Sequence, residues 1–591
     1  NMALISKASL LMVPSTYEAG KLYNVLPSGN RAPDNKGGAG YDQTRADFDF
    51  DRGSNAAATR IGSDGLLKKY QENLLLQSNQ FDTTWTTGAT LTSGQSGYNG
   101  NNAWKFASSS GGQTGVQQSV SFSNIHTFSV YAKVGSVDFI KLFVVQSGTN
   151  RTCVIDLSDG SIANDNSVSA SSPAASVTSL ANGWYRIEMP TNANSATFVR
   201  IRPHLSEGDD NLSVGDYIYI QSTQLETGLA ATDVLTSGAT TAKAGVLIDL
   251  PRINYDANGE NGALLLEPSR QQLFQFSEYF ADSYWAKTGS GSGVAPIVTQ
   301  NHAISPEGLK NASRVQFDTN GSSSGDRSGF VRDFAFTTGD KYAISCWVKS
   351  ASGSDEIFTF RIAGAQVGGE KTATSEWQLF TETHTATATT TDNFGIQIRG
   401  NYSSQTSDIL IYAMQLEPNA TYATSYIPNH GTSGGVTRAA DSCSVTGASD
   451  VIGQTEGTLF VDLDLKNTTS LNGNYHILIL GPPSQRITIY SSASVIAVDG
   501  TGSGGFTAIT TPFTAGRKKI AVAYASNDIA FYINGVLIGT KTTASIPTPM
   551  GQIDLGGNYT YSNYIAGNEF NQTALFKERL SNAELATLTT L

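Results

Sequence analysis

The chain has 591 residues, a formal net charge of -12 and 39% hydrophobic residues. Only 15% of residues are charged, and neither of the basic residue types runs long enough to track a phosphate backbone, which argues against a nucleic-acid partner. No stretch reaches the roughly 18 apolar residues that cross a bilayer, so membrane insertion is not expected.

Aromatic and β-branched residues are plentiful, with 26 Phe and 24 Tyr, and 59 Gly punctuate the chain. That mixture favours strands and tight turns. The three cysteines, Cys153, Cys346 and Cys443, are too far apart and too few for a disulfide framework or a zinc site. Residues 1–66 read as a leader. Its apolar start lacks a basic segment and a small-residue cleavage pattern, which argues against a secretory signal. Within it, "DFDFD" places Asp47, Asp49 and Asp51 on one side of an extended chain; alternating acids can bind a hard cation, but no Gly-centred calcium loop accompanies them, and an exposed strand or turn is the better reading.

Internal similarity organises the middle of the chain. "NLLLQSNQFDTTW" (73–85) matches "QQLFQFSEYFADSYW" (271–285). "FSVYAKVGS" (128–136) matches "ISCWVKSAS" (344–352), "NGWYRIEM" (182–189) matches "SEWQLFTE" (375–382), and "TFVRIR" (197–202) matches "FGIQIR" (394–399). Two stretches ending in Gln-Leu-Glu follow in the same order, at 224–226 and 415–417. A duplicated antiparallel β-sandwich of roughly 160 residues accounts for this, with copy 1 at 67–235, a connector at 236–270 and copy 2 at 271–430. Residues 431–591 form a third unit. There "EGTLFVDLDLK" alternates cleanly, Asn534-Gly535 signals a type I′ hairpin, and Ser581 with Glu584 forms a capping box before a terminal helix. The expected class is all-β: tandem antiparallel sandwiches of jelly-roll or concanavalin A-like form.

Strand parity supplies the candidate binding residues. In "FSVYAK" the apolar Phe128, Val130 and Ala132 face one way, and Tyr131 and Lys133 the other. The same reasoning puts Arg200 and Arg202 outward in copy 1, and Trp347, Lys349, Gln397 and Arg399 outward in copy 2. An aromatic ring stacks on a pyranose, while guanidinium, ammonium and amide groups take hydroxyls and carboxylates, so this face suits a glycan, and an acidic one in particular. Packing on a neighbouring domain or subunit, or plain solvated surface, fits the same pattern.

Glu226 and Glu417 are repeated acids at strand ends, open to readings as structural, metal-binding or catalytic groups. Catalysis would need a partner carboxylate across the sugar, and none recurs. Asp462 and Asp464 share a strand face in the same way. "SEGDDN" offers Glu207, Asp209 and Asp210 as ligands for a structural calcium ion. The six histidines are scattered and form no metal-binding spacing.

The segments "DFDFDRGSNAAATRIGSDGL", "DLPRINYD" and "GALLLEPSRQQL" resemble connector segments of tailed-phage fibre and receptor-binding proteins. In the pattern expected of them, leader and "PRINYD" segment are contiguous, whereas here the first sandwich lies between. The duplicated unit resembles the carbohydrate-binding-module-like sandwiches of those proteins. The last unit, with "TRAADSCSVTG", "NDIAFYINGVLIGT" and "LSNAELATLTT", is similar to concanavalin A-like (laminin G-like) lectin domains. The resemblance implies a virion protein of a phage tail or fibre. It would attach to host-surface polysaccharide by multivalent, non-catalytic binding, assemble with other tail or baseplate proteins, and oligomerise as a trimer. A ligand-free virion decoration or spacer, a polysaccharide-degrading tail enzyme and a secreted bacterial glycan-binding protein are the alternatives.

Overall fold

A computed structural model describes residues 4, 7–14, 48–53, 56–248, 250–466, 473–502, 505–557 and 567–591. Nearly every described element is an antiparallel strand, arranged in three sandwiches with separate apolar cores.

Copy 1 is built on two long strands, Val116–Lys133 and Trp184–His204, paired along their whole length with irregularities near Ala193 and Ala196. Each long strand serves both sheets. One half pairs with Tyr217–Thr227 and Ser176–Ser179, the other with Phe139–Val145 and Thr86–Thr87. Between the two layers lie Val130, Ala132, Val199 and Ile201, all fully buried.

Copy 2 has the same strand order cut into separate pieces. The first long strand becomes Arg327–Phe336 and Lys341–Ser350, interrupted by a turn at Gly339 (φ 95°). The second becomes Gln378–Thr385 and Thr390–Arg399. Two five-stranded sheets result, around Phe330, Phe360, Ile396 and Ile398.

The third sandwich draws strands from the leader, the connector and residues 431–591. Its eight-stranded sheet includes Leu10–Met12 from the leader and Ile253–Asn254 and Ala263–Leu266 from the connector. Its seven-stranded sheet begins with Asp49–Asp51. The leader and connector, separated by copy 1 in sequence, are joined in space. Ile61 N donates to Asn254 Oδ1 at 2.8 Å and Tyr255 N to Ile61 O at 3.1 Å. At Asn534-Gly535 both residues have positive φ (50° and 82°), as a type I′ turn requires. The helix Asn582–Thr589 starts with the Ser581–Glu584 capping box.

A buried charge cluster ties the modules together. Arg252 Nη1 donates to Glu267 Oε2 at 2.8 Å, and its Nη2 donates to Asp441. Arg438 Nη1 lies 2.9 Å from the same Glu267 oxygen, and Arg52 Nη1 donates to Asp441 Oδ1 at 3.5 Å. Burial alone would raise the Glu267 carboxyl, but Arg438, Arg252 and the hydrogen bonds from Ser425 together outweigh it and hold it down at about 2. These residues belong to the "DFDFDRGS", "DLPRINYD", "GALLLEPSR" and "TRAADS" segments, so those segments form one junction.

Candidate functional site

The Gln-Leu-Glu tripeptides make identical contacts. Glu226 accepts from Thr232 N at 2.8 Å and from Thr232 Oγ1 at 2.7 Å. Glu417 accepts from Thr424 N at 2.8 Å and Thr424 Oγ1 at 2.7 Å. Gln224 and Gln415 each donate to the following Glu and accept from a later backbone N–H, that of Leu235 and of Ile427. Each tripeptide therefore clasps the chain as it leaves the sandwich. Both carboxylates are buried with their oxygens satisfied.

In copy 1 the exit segment folds over the sheet that carries Tyr131 and Lys133. Ala231 N donates to Glu188 Oε2 at 2.8 Å, and Arg186 Nη2 donates to Thr232 O. Tyr131 is only 5% exposed. Its ring stacks on Tyr98 with centroids 4.4 Å apart and planes 1° apart, and the Arg186 guanidinium sits 5.5 Å from its centroid. Trp184 is buried beside it in a small outer cluster, separate from the main core. The expectation of an open stacking ring at Tyr131 is thus corrected: its face is already occupied. Lys133, half-buried, stands opposite Trp184 and Tyr219 at the rim of this cluster.

In copy 2 the corresponding face opens into a cleft. Trp347 is half-buried and lies opposite Leu379 and Tyr412 in the sheet. It lines a cleft of about 190 Å³ with Leu379, Arg60, Asn254, Lys466 and Glu569. Leu379 is 48% exposed. Asn254 Nδ2 donates to Glu569 Oε1 at 3.1 Å, and Lys466 Nζ lies 3.8 Å from the same oxygen. Sequence reasoning missed these four polar residues because leader, connector and third sandwich meet Trp347 only in three dimensions. Lys349 is half-buried two residues further along the same face and is not part of the cleft lining. Trp377 packs on the outer cluster of Leu67 and Tyr412, and its Nε1 donates to Ile304 O at 3.1 Å.

Arg200 and Arg202 do not share a face with Tyr131. They occupy the C-terminal half of Trp184–His204, where it pairs with Phe139–Val145, on the opposite outer surface of the sandwich. There Arg200 Nε donates to Gln117 Oε1 at 2.8 Å and Arg202 Nη1 to Gln113 Oε1 at 2.9 Å. Arg202 lies 5.1 Å from the centroid of Phe143 and Arg200 4.9 Å from that of Phe198, with Lys141 Nζ 5.1 Å over Phe143. Gln397 and Arg399 lie on the equivalent sheet of copy 2, away from Trp347. Gln397 is 3% exposed, so it is not an open surface donor. The single sugar-binding face expected for each copy is therefore two faces in each.

Glu207, Asp209 and Asp210 are not brought together around an ion. Glu207 accepts from Asn164 Nδ2 at 2.9 Å, Asp209 from Asn211 N at 3.0 Å, and Asp210 Oδ2 lies 3.8 Å from Arg202 Nη1. Among the described residues no group of three or more His, Cys, Asp or Glu converges as a metal site. Asp51 is exposed and accepts from Gly53 N, while Asp47 lies outside the described residues. Asp462 is held in a two-point pair with Arg517, both contacts at 3.0 Å, so its strand face is a salt bridge. Burial lowers His126 to about 4, His430 to about 3 and His476 to about 4, which keeps these imidazoles neutral at physiological pH.

No family model matches the chain, and no curated protein matches it. Among solved structures, it is similar to the binding domain of botulinum neurotoxin DC at 13% identity, over 25% of this chain and 40% of that one, with a TM-score of 0.22. It is also similar to the tandem CBM22-1–CBM22-2 domain of Paenibacillus barcinonensis Xyn10C, at 10% identity over 62% of this chain and 99% of that one, TM-score 0.21. A third likeness is to Trypanosoma rangeli sialidase, at 9% identity over 91% and 97% of the two chains, TM-score 0.20. The chain thus spans about two fifths of the length of the toxin binding domains it matches. With likenesses this distant, the functional reading rests on the site's own residues.

Proposed function

We propose that this chain is a receptor-binding protein of a phage tail or fibre, that it attaches to host-surface glycan, and that it performs no catalysis of its own. The observation that carries the reading is the Trp347 cleft. A half-buried indole forms one wall, and Arg60, Asn254, Lys466 and Glu569 line the same cleft. An indole face offers the C–H surface of a pyranose a stacking partner, and amide, guanidinium, ammonium and carboxylate groups suit its hydroxyls. Its volume of about 190 Å³ suits one sugar unit or a chain end rather than a buried drug-sized ligand. The repeated acids, Glu226 and Glu417, already hold threonines, which supports binding without turnover. Affinity would then come from many weak contacts across a trimer fixed to other tail or baseplate proteins.

The test is a glycan array probed with the full chain and with Trp347→Ala. Oligosaccharide binding by the native chain, lost in the variant at unchanged melting temperature, is the expected result. An array with no signal, or signal indifferent to Trp347, overturns the proposal, and release of reducing sugar from host capsule overturns its non-catalytic part.

A further inference from the structure

The outer sheet of copy 2 carries positive charge with almost nothing to balance it. Arg327 and Arg399 face each other directly across adjacent strands. Gln397, two residues before Arg399, shares their face, and Arg361 Nη1 on the next strand donates to its Oε1 at 3.4 Å. Several other arginines of this acidic chain are matched to carboxylates, as in Arg314 with Asp408, Arg517 with Asp462 and Arg579 with Asp528. Here the only carboxylate in ion-pair range, among the described residues, is Asp392, 3.7 Å from Arg361 and 43% exposed. Neither Arg327 nor Arg399 has a side-chain hydrogen bond or ion pair among the described residues.

Burial sharpens the imbalance. Arg361 is 6% exposed, and Gln397 Nε2 is buried without a protein partner. Desolvation, and then the nearby Arg327 and Arg399, push the Arg361 guanidinium below its ordinary range against the pull of Asp392. Desolvation and Arg327 do the same to Arg399. Like charges gathered in a partly desolvated place cost free energy unless an anion joins them. In copy 1 the equivalent arginines are handled differently: Gln117 and Gln113 hold them, Phe143 and Phe198 lie under them, and Asp210 stands nearby.

We propose that Arg327, Arg361 and Arg399 of copy 2 form a binding site for an oxyanion carried on a polysaccharide, a uronate carboxylate or a sulfate ester. Guanidiniums are suited to it, since their paired N–H groups match the two oxygens of such an anion. The proposal rests on the glycan-binding reading, but its site is on a different sheet from Trp347, and the two fail separately.

The experiment titrates the full chain with dextran sulfate, polygalacturonate and neutral dextran. Dextran sulfate or polygalacturonate is expected to bind and neutral dextran not, and which polymer binds assigns the anion. An Arg327→Ala/Arg399→Ala pair should weaken binding by about tenfold or more, since two charge-assisted contacts are lost. The Arg200→Ala/Arg202→Ala pair should leave binding within about twofold, because those guanidiniums already have amide partners. If the alanine pair melts early, Arg399→Gln, which keeps most of the side-chain bulk, replaces it. Failure of both anionic polymers to bind, or equal loss from the copy 1 pair, overturns the proposal while leaving array binding at Trp347 intact.

Discussion

Glu417 holds Thr424 at two points, accepting from its backbone N–H at 2.8 Å and its hydroxyl at 2.7 Å. Glu226 holds Thr232 the same way in the other copy, although the intervening loop is one residue shorter. A loop of different length ending in the same contact shows which part of the duplication is fixed by chemistry. The carboxylate satisfies a buried N–H and a buried hydroxyl that would otherwise each cost about 1–3 kcal/mol.

This clasp makes a pH prediction. Burial raises the Glu226 carboxyl from 4.5 to about 7, against the hydrogen bonds from Gln224 and Thr232. A raised folded value means that the native state holds the proton more tightly than the unfolded chain. Its contribution is therefore complete below pH 4.5 and is lost as pH rises towards 7. Glu226→Gln keeps one acceptor oxygen for the Thr232 N–H, as the protonated acid does, and removes the titration. The variant should match the native protein near pH 4.5 and exceed it by up to about 3 kcal/mol above pH 7, at ~1.4 kcal/mol per unit. Chemical denaturation across that range checks it, and a difference independent of pH would rule it out.

The junction cluster titrates with the opposite sign. Glu267 falls from 4.5 to about 2 in the folded protein because Arg438, Arg252 and the hydrogen bonds from Ser425 together outweigh its burial. The stability it confers is present above pH 4.5 and drains away as pH falls through 2. Arg252→Ala leaves buried Glu267 with Arg438 and buried Asp441 with Arg52 as their remaining guanidinium partners, with an expected cost of about 3–5 kcal/mol. The loss should appear in the third sandwich, because Arg252 sits beside the connector strand Ile253–Asn254 in its sheet. Hydrogen exchange that stayed uniform between native and variant in that sheet would contradict this.

The sequence made the duplication, the all-β class, the hairpin at Asn534 and the cap at Ser581 legible, because each is written in local spacing. Parity correctly told which side of each strand is the core, as with Val130, Val199 and Ile396. It failed at the outward residues. Parity says that Tyr131 points out of its sheet, and cannot say that residues 231–235 then cover it. Nor can it show that both long strands pass from one sheet to the other, which places Tyr131 and Arg200 on opposite surfaces. Arg60, Asn254, Lys466 and Glu569 reach Trp347 from segments hundreds of positions apart, with no periodicity linking them. The motif arginines looked like connector marks, and their meeting around Glu267 and Asp441 needed the third dimension.

Tyr131 and Trp347, matched in the sequence, should separate in experiment. Tyr131→Ala removes a buried ring stacked on Tyr98 and should cost about 3–5 kcal/mol of stability. Its glycan binding at saturating folded protein should be unchanged. Trp347→Ala removes a half-buried ring and should cost less stability while abolishing binding. Thermal melts paired with array signal distinguish the two. Equal effects of both variants on both readouts would mean that the two copies use their faces alike.

The hairpin at Asn534 isolates a purely conformational cost. Gly535 has φ 82°, and a Cβ placed there meets nothing nearer than Thr590 Oγ1 at 3.5 Å. Space is available, so Gly535→Ala should pay only for the left-handed backbone, about 1–2 kcal/mol. Gly395 (φ 149°) is the contrast, since a Cβ there would sit 2.3 Å from Phe330 O, inside the sheet that carries Arg399. Gly395→Ala must move backbone as well and should destabilise by more than Gly535→Ala. The strands it forces apart are those that hold Arg327 opposite Arg399, so it should also weaken binding of the anionic polymer, which Gly535→Ala should leave alone. Denaturation midpoints and polymer titrations on the two variants decide the matter, and a milder effect at Gly395 would show that the sheet yields there at little cost.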